Sequence, residues 1–384
     1  MRRFRDPRWM LILMFLGIIA SVPLVQTAIE IRRGEWPRAL EVFRRKPSVA
    51  NLRAYEQNLE DASWASRQAR PTIQFAQFEW LGDGGEKALV GLDGWLFYRP
   101  GLDYLVGQPE PAQAPGGTND PLPAILSFRD GLAARGIRLL IMPAPNKESI
   151  YPDKLTRRAP RLRGVLAPQT QDLLGRLKAA QVEVIDLFSA FAEARRNEGA
   201  PAVAPLYLAQ DTHWSPAGID LAAKVVAQRL LERDWVRLGT ADFEGKPARV
   251  QRLGDVLRML QVPEIERRAT PETVPCVQVL RRDRNQPYQD DPNSEVLVLG
   301  DSFLRIYQQD EPGAAGFVAH LARELGQPLT SLVNDGGAST LVRQELCRRP
   351  ALLKNKKVVV WEFVERDIRL GTEGWQIVPL PPGS

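Results

Sequence analysis

Two short stretches carry side chains suited to acyl-transfer chemistry. One is Gly300-Asp301-Ser302-Phe303, which ends the apolar, β-branched run Val296-Leu297-Val298-Leu299. A buried strand that breaks into Gly and a small nucleophile lifts a serine hydroxyl above the edge of an α/β sheet. That hydroxyl is a weak nucleophile until a neighbouring base takes its proton. The chain has two histidines. One of them, in Asp211-Thr212-His213-Trp214, follows a carboxylate by two residues, and in an extended segment residues two apart point to the same side. Asp211 is thereby placed to hold the imidazole tautomer, leaving the other ring nitrogen of His213 to face Ser302. Each stretch also has an ordinary reading. Gly-Asp is a common turn and Ser a common helix cap, and Ser215-Pro216 opens a helix just after His213. Their joint presence in a chain so poor in histidine points to catalysis. His320 lies in Gly316-Phe317-Val318-Ala319-His320-Leu321-Ala322, which reads as a helix without such a carboxylate, and is expected to be structural.

The elements that must position these residues alternate along the chain. From Pro123 a helical face (Ile125, Leu126, Phe128, Leu132, Ala133) ends at Gly136 and is followed by the strand Ile137–Met142. Further strands are expected at Val182–Asp186, Leu329–Val333 and Lys357–Phe363. Further helices are expected at 166–180, up to Glu198, from Pro216 to Arg233, at 314–325 and at 340–348. Helices between short apolar strands predict an α/β fold with a mainly parallel sheet covered on both faces. In such a sheet sites gather outside the carboxyl ends of the strands. One rim would then collect Asn146 and Lys147, His213, Ser302, Asn334 to Gly337, and Glu362 to Arg366. A tetrahedral intermediate needs hydrogen-bond donors for its oxyanion, each worth about 3–4 kcal/mol. Candidates are the backbone N–H of Ser302 or Phe303, Gly336 or Gly337, and the side chain of Asn334; Asn-Asp-Gly-Gly equally reads as an ordinary turn. Lys147, Tyr307, Trp361 and Arg366 are candidates for binding a sugar or acidic polymer, each with a structural reading beside it.

The chain's 384 residues, 44% of them hydrophobic, suffice for one large domain or two small ones. The net charge of +5 is mostly a property of the first 33 residues, where six Arg face Asp6 and Glu30. Nucleic-acid binding has no support. Arg2, Arg3, Arg5 and Arg8 precede an uncharged run over residues 9–29, near the length that spans a bilayer, with the arginines on the cytoplasmic side. A cleavable signal peptide is the rival reading, but no Ala-x-Ala site follows. Residues 1–34 are thus expected as a membrane anchor, 35–84 as a helical stalk or packing arm, and 85–384 as the catalytic domain. Asp93-Gly94-Trp95-Leu96-Phe97-Tyr98 reads as a tight turn into a strand. Residues 99–123 read as a long loop able to overhang the site. Residues 234–293 read as an insertion, with Leu253–Leu257 a helical turn or two and Arg281–Pro292 a polar loop. Cys276 and Cys347 have no metal spacing, and whether they pair is open. Two distant Cys and two distant His assemble no zinc site, and serine chemistry of this kind calls for no cofactor.

Five segments appear in a particular order: Asp93-Gly94-Trp95-Leu96-Phe97-Tyr98, Pro145-Asn146-Lys147-Glu148-Ser149-Ile150-Tyr151-Pro152, Asp211-Thr212-His213-Trp214, Gly300-Asp301-Ser302-Phe303 and Trp361-Glu362. In that order they resemble the alginate O-acetyltransferase family, the AlgJ/AlgX type of SGNH-hydrolase-like proteins, across residues 85–370. Ordinary SGNH esterases place Gly-Asp-Ser near the N-terminus and Asp-x-x-His near the C-terminus. Here Asp-x-His comes first and is one residue shorter, as in the AlgJ/AlgX type, and the likeness is closer to the AlgJ-like members. The resemblance implies Ser302 as nucleophile, His213 as general base and Asp211 as its orienting partner. It also implies a single-pass inner-membrane protein with its catalytic domain in the periplasm. Such a protein would act beside a membrane-bound O-acyltransferase that supplies acetyl groups, with an exopolysaccharide, alginate or another, as acceptor. An acetyl esterase of the same fold and a non-catalytic polymer-binding subunit are the competing expectations.

Overall fold

The computed structural model describes residues 7–44, 46, 48–107, 120–158, 168–196, 204–370 and 374–381. Its strands, in chain order, are β1 (Ala88–Val90), β2 (Leu96–Tyr98), β3 (Arg138–Ala144), β4 (Glu183–Val184), β5 (Phe243–Arg252), β6 (Glu272–Arg281), β7 (Gln286–Pro287), β8 (Val296–Gly300), β9 (Thr330–Val333) and β10 (Val358–Val364). Five of them form one sheet in the order β4-β3-β10-β8-β9, with every neighbouring pair parallel. Their continuous apolar runs are what a sheet buried on both faces requires. Leu140, Met142, Val296, Val298, Val358 and Val360 point into one core. Leu139, Ile141, Leu297, Leu299, Val359 and Trp361 point into the other. The parallel sheet covered on both faces is therefore as expected.

Helix ends follow local chemistry. The helix Pro216–Glu232 begins with the Ser215 hydroxyl accepting from the N–H groups of Ala217 and Gly218, and Pro216 occupies the first turn, where its missing N–H costs nothing. The helix Phe317–Leu325 stops at Gly326, whose φ of 61° suits glycine. Helices Pro168–Ala179, Leu187–Arg196 and Leu341–Arg348 occupy the other expected places. Positions 166–167 and 197–198 of the expected helices lie outside the described residues.

Several expectations need correction. Residues 99–123 are not one loop: helices Arg99–Val106 and Pro121–Ala133 occupy its ends, and its middle, 108–119, lies outside the described residues. The first of these helices is stabilised by the buried Tyr104, whose hydroxyl lies 2.7 Å from that of Thr170. The strand at 182–186 shortens to β4, because the Val182 N–H is taken by the Leu177 carbonyl in the closing turn of the preceding helix. The 234–293 stretch is built around β5 and β6, antiparallel over their whole length, with β7 beside β6. The Arg281–Pro292 loop is thus partly strand. Gly245, Pro247 and the Arg and Gln side chains of β5 disguise its period of two, and β5 is an edge strand, where proline is tolerated. Cys276 and Cys347 are both free thiols.

The chain forms two compact units, one running to Gly82 together with Val262–Ile265, the other comprising the remainder. The first contains the helix Pro7–Arg32, of which Trp9–Arg32 is long and apolar enough to cross a membrane, its most apolar stretch unburied. A 3₁₀ turn at Arg38–Phe43 and helices Val49–Ala62 and Trp64–Leu81 follow, in the region read as a stalk. The last turns of the first helix are tied to them. The Trp64 N–H donates to Gln26 Oε1 at 2.8 Å and the Arg38 N–H to Glu30 Oε2 at 2.9 Å.

Candidate active site

β8 runs into a turn packed closely around its glycine. A Cβ on Gly300 would overlap Glu362 Oε2 and stand 2.6 Å from Leu304 Cδ1. The next residue is held from both sides: the Asp301 N–H donates to Glu362 Oε2 at 3.0 Å, and its carboxylate accepts the Phe303 N–H at 2.9 Å. Ser302 thus opens a short helix at the sheet rim. Glu362, at the carboxyl-end half of the adjacent β10, is fully buried; burial and then the charge of Asp301 push its carboxyl well above the usual range, favouring the protonated form.

His213 arrives from the stretch before the helix Pro216–Glu232, where Tyr207 and Trp214 form an isolated bridge. Its Nε2 lies 2.8 Å from Ser302 Oγ, and its Nδ1 lies 2.6 Å from Asp211 Oδ1. The Phe303 ring packs beside the imidazole, centroids 5.0 Å apart. Asp211 Oδ2 accepts from Arg252 Nε at 2.8 Å. A second carboxylate, Asp255, accepts the Thr212 N–H at 2.7 Å and the Thr212 hydroxyl at 2.6 Å, and stands 3.5 Å from His213 Nδ1. Burial by itself would raise the Asp211 carboxyl, but His213 and Arg252 outweigh it and hold it well below its ordinary value. Burial would likewise lower His213, and Asp211 and then Asp255 outweigh it, so the imidazole is raised. Burial and the neighbouring Asp211 charge raise Asp255. The Asp211, His213 and Asp255 ligand atoms lie within 4.8 Å of one another, a spacing suited to a metal ion. Arg252, Thr212 and Ser302 already engage those atoms, so the grouping reads as an ion-pair network.

Ser302 and His213 open onto a cleft of about 370 Å³ lined also by Arg258, Arg305, Asp310, Asp335 and Gly336, with Asp211 buried behind them. Its charges are largely paired: Arg305 with Asp310 and, at 2.8 Å, with Asp335, and Arg252 with Asp310 at 3.4 Å.

The other expected site residues divide. Gly336 lines the cleft with a φ of 71°. Among the described hydrogen bonds, neither its N–H nor that of Ser302 has a protein acceptor, so both are free to meet an oxyanion. The Phe303 N–H is spent on Asp301, and the Gly337 N–H donates to the Asn334 carbonyl at 3.1 Å. The Asn334 side chain donates to Glu345 at 3.1 Å, bracing the turn instead of facing the cleft. Trp361 is core, its Nε1–H on the Ala338 carbonyl at 2.8 Å. Arg366 lies over the Tyr98 ring. Tyr307 is fully buried beneath the Arg252 guanidinium. Lys147 is buried and donates to backbone carbonyls. These four lie off the cleft, because each is committed to the packing or hydrogen bonding of the rim. His320 is buried with Nε2 3.0 Å from the Val277 carbonyl; a carboxylate distant in sequence, Asp220, lies 3.3 Å from its Nδ1. Sequence reasoning missed Arg252 and Asp255, which sit in the segment read as an irregular insertion. The Gly254-Asp255 helix start was their only local signal.

Residues 88–365 match the family described as SGNH hydrolase-like domain, acetyltransferase AlgX. Proteins named probable alginate O-acetylase AlgJ are similar to this chain. That of Pseudomonas aeruginosa is 23% identical over 303 residues, covering 76% of this chain and 73% of its own. That of Azotobacter vinelandii is 24% identical over 299 residues, covering 74% and 71%. Among solved structures, the O-acetyltransferase domain of Pseudomonas putida AlgJ superposes with a TM-score of 0.58 at 20% identity, over 74% of this chain and 92% of that one. Pseudomonas aeruginosa AlgX gives 0.55 at 19%, over 74% and 64%. Both are likenesses of fold. Matched along more than half its length, this chain belongs to the family of SGNH hydrolase-like domains of the acetyltransferase AlgX type.

Proposed function

We propose that the protein is a membrane-anchored periplasmic O-acetyltransferase that esterifies hydroxyls of an alginate-like exopolysaccharide through an acetyl-serine intermediate. The observation that carries this reading is the unbroken hydrogen-bond chain Asp211–His213–Ser302 opening on a cleft. Ser302 Oγ attacks the acetyl carbonyl while His213 Nε2 takes its proton, and Asp211 stabilises the imidazolium. The N–H groups of Ser302 and Gly336 receive the oxyanion. The C–O bond to the donor breaks, the leaving oxygen takes the proton from His213, and acetyl-Ser302 remains. A sugar hydroxyl then gives its proton to His213 and attacks the ester. Collapse returns that proton to Ser302 Oγ and frees the acetylated sugar.

The names of the relatives supply the polymer class. The apolar helix Pro7–Arg32, with arginines before it, supports a single span with the following chain outside the cytoplasm. A membrane-bound O-acyltransferase is the partner that would hand over acetyl groups. The test is polymer acetylation in cells carrying Ser302→Ala at normal protein level. Loss of acetyl groups is expected, and full acetylation would refute the role of Ser302 and favour a polymer-binding subunit. Purified protein that releases acetate from acetylated polymer but never acetylates an acceptor sugar would make it an esterase.

A further inference from the structure

Lys147 is 2% exposed at the carboxyl end of β3, and its Nζ donates to three backbone carbonyls: Leu96 at 2.6 Å, Ala209 at 2.8 Å and Asp211 at 3.1 Å. The rings of Trp95 and Phe97 stand 4.9 and 5.0 Å from the ammonium, so its charge meets carbonyl dipoles and aromatic faces. Leu96 belongs to β2, whereas Ala209 and Asp211 belong to the stretch that presents His213. The Pro145–Tyr151 segment holds that same stretch elsewhere. The Leu206 N–H donates to Tyr151 Oη at 2.7 Å, and the Tyr207 hydroxyl donates to the Pro145 carbonyl. Lys147 is the member of the segment that reaches the residue bonded to the imidazole.

We propose that Lys147 is a positioning residue: by gathering three carbonyls from two segments, its ammonium sets where Asp211 and His213 stand against Ser302. The inference rests on reading Ser302, His213 and Asp211 as the catalytic triad. Loss of the ammonium takes that donor from the Leu96 and Asp211 carbonyls, leaves Ala209 only the Leu96 N–H at 2.8 Å, and lets the stretch drift. A displacement of about 1 Å in a reacting group costs about 100-fold in rate. Burial moves Lys147 down to about 8, opposed by Glu148, Asp211, Glu272 and Asp255. The bracket is therefore fully charged below that pH and loses its charge as pH climbs through it. Lys147 does not line the cleft, so the effect falls on kcat and not on KM.

The experiment measures kcat and KM for a chromogenic acetyl ester from pH 5 to 10, using the full chain in detergent and comparing wild type, Lys147→Arg, Lys147→Met and Ser302→Ala. Wild-type kcat should fall above about pH 8 with KM within twofold. Lys147→Arg, whose guanidinium does not titrate there, should keep at least about a tenth of the activity and lose the alkaline fall. Lys147→Met should lose about 100-fold in kcat with KM within about threefold. A wild-type kcat flat to pH 10, an alkaline fall retained by Lys147→Arg, or a folded Lys147→Met within threefold of wild type would each overturn the proposal. Should Lys147→Met fail to fold by circular dichroism, the wild-type and Lys147→Arg profiles decide. An active Ser302→Ala would sink the triad itself, whereas an inactive Ser302→Ala beside a fully active Lys147→Met sinks the Lys147 role alone.

Discussion

Replacing Arg252 with methionine tests the electrostatics of the proposed base. The guanidinium stands 2.8 Å from Asp211 Oδ2, and the imidazole is on the other oxygen of the same carboxylate. Two unit charges 4 Å apart interact by about 4 kcal/mol at an effective dielectric of about 20. The Asp211 carboxylate stands between guanidinium and imidazolium and water in the cleft weakens their repulsion, so we take about 1.4 kcal/mol as its share. That equals about one pH unit. Arg252 lowers His213, against the raising effect of Asp211 and Asp255, so its removal raises His213 further. In the proposed mechanism His213 works as a neutral base, and its titration sets the acidic limb of kcat/KM. The limb should move to higher pH by about one unit in Arg252→Met, with activity near pH 6 about tenfold lower relative to the alkaline plateau. The assay is kcat/KM for a chromogenic acetyl ester between pH 5 and 9. A limb that stays in place or moves to lower pH refutes the electrostatic account.

Gly300→Ala should cost about 1–3 kcal/mol of stability, because its methyl group must displace Glu362 or Leu304; chemical denaturation that shows less than about 0.5 kcal/mol contradicts the tight turn. Glu148 is raised to about 7, first by burial, with Lys147 opposing. An acid raised on folding loses stability as pH climbs from its unfolded value through the folded one. Glu148→Gln, which keeps an oxygen for the Tyr98 N–H, should gain up to about 3 kcal/mol at pH 8 and almost nothing at pH 4. Equal melting shifts at both pH values would exclude that charge as the cause.

The legible parts of the chain are those whose physics is local. Val296–Leu299 and Val358–Phe363 announce buried parallel strands because both faces are apolar. Asp211 and His213 announce each other across a single residue. Arg252 and Asp255 were not legible, since 41 and 44 residues separate them from Asp211. The strand that delivers Arg252 also hides its alternation behind Gly245, Pro247 and edge-strand polar residues. Lys147 is visible as unusual, with a structural and a binding reading side by side. A cation after an apolar strand suggests a ligand contact, whereas its acceptors are peptide carbonyls, which every residue possesses and no side-chain pattern marks. Gly336 and Gly337 were indistinguishable in sequence. Only the turn decides that the Gly337 N–H is spent on the Asn334 carbonyl while Gly336 lines the cleft.

The order β4-β3-β10-β8-β9 has a consequence for how the molecule is made. β10, the last strand in the chain, lies in the middle of the sheet, pairing Val358 with both Arg138 and Val296. Until it is available, β3 with β4 and β8 with β9 are two separate ribbons with exposed inner edges. Joining them closes a loop of more than 200 residues, a slow step with a large entropic cost. The same strand brings Glu362 under Gly300 and Asp301, so the turn that carries Ser302 acquires its backing in that closing step. A chain still lacking β10 would therefore carry an unfinished sheet and an unbraced serine, and a fragment ending before β10 would hold Asp211, His213 and Ser302 without the sheet that aligns them.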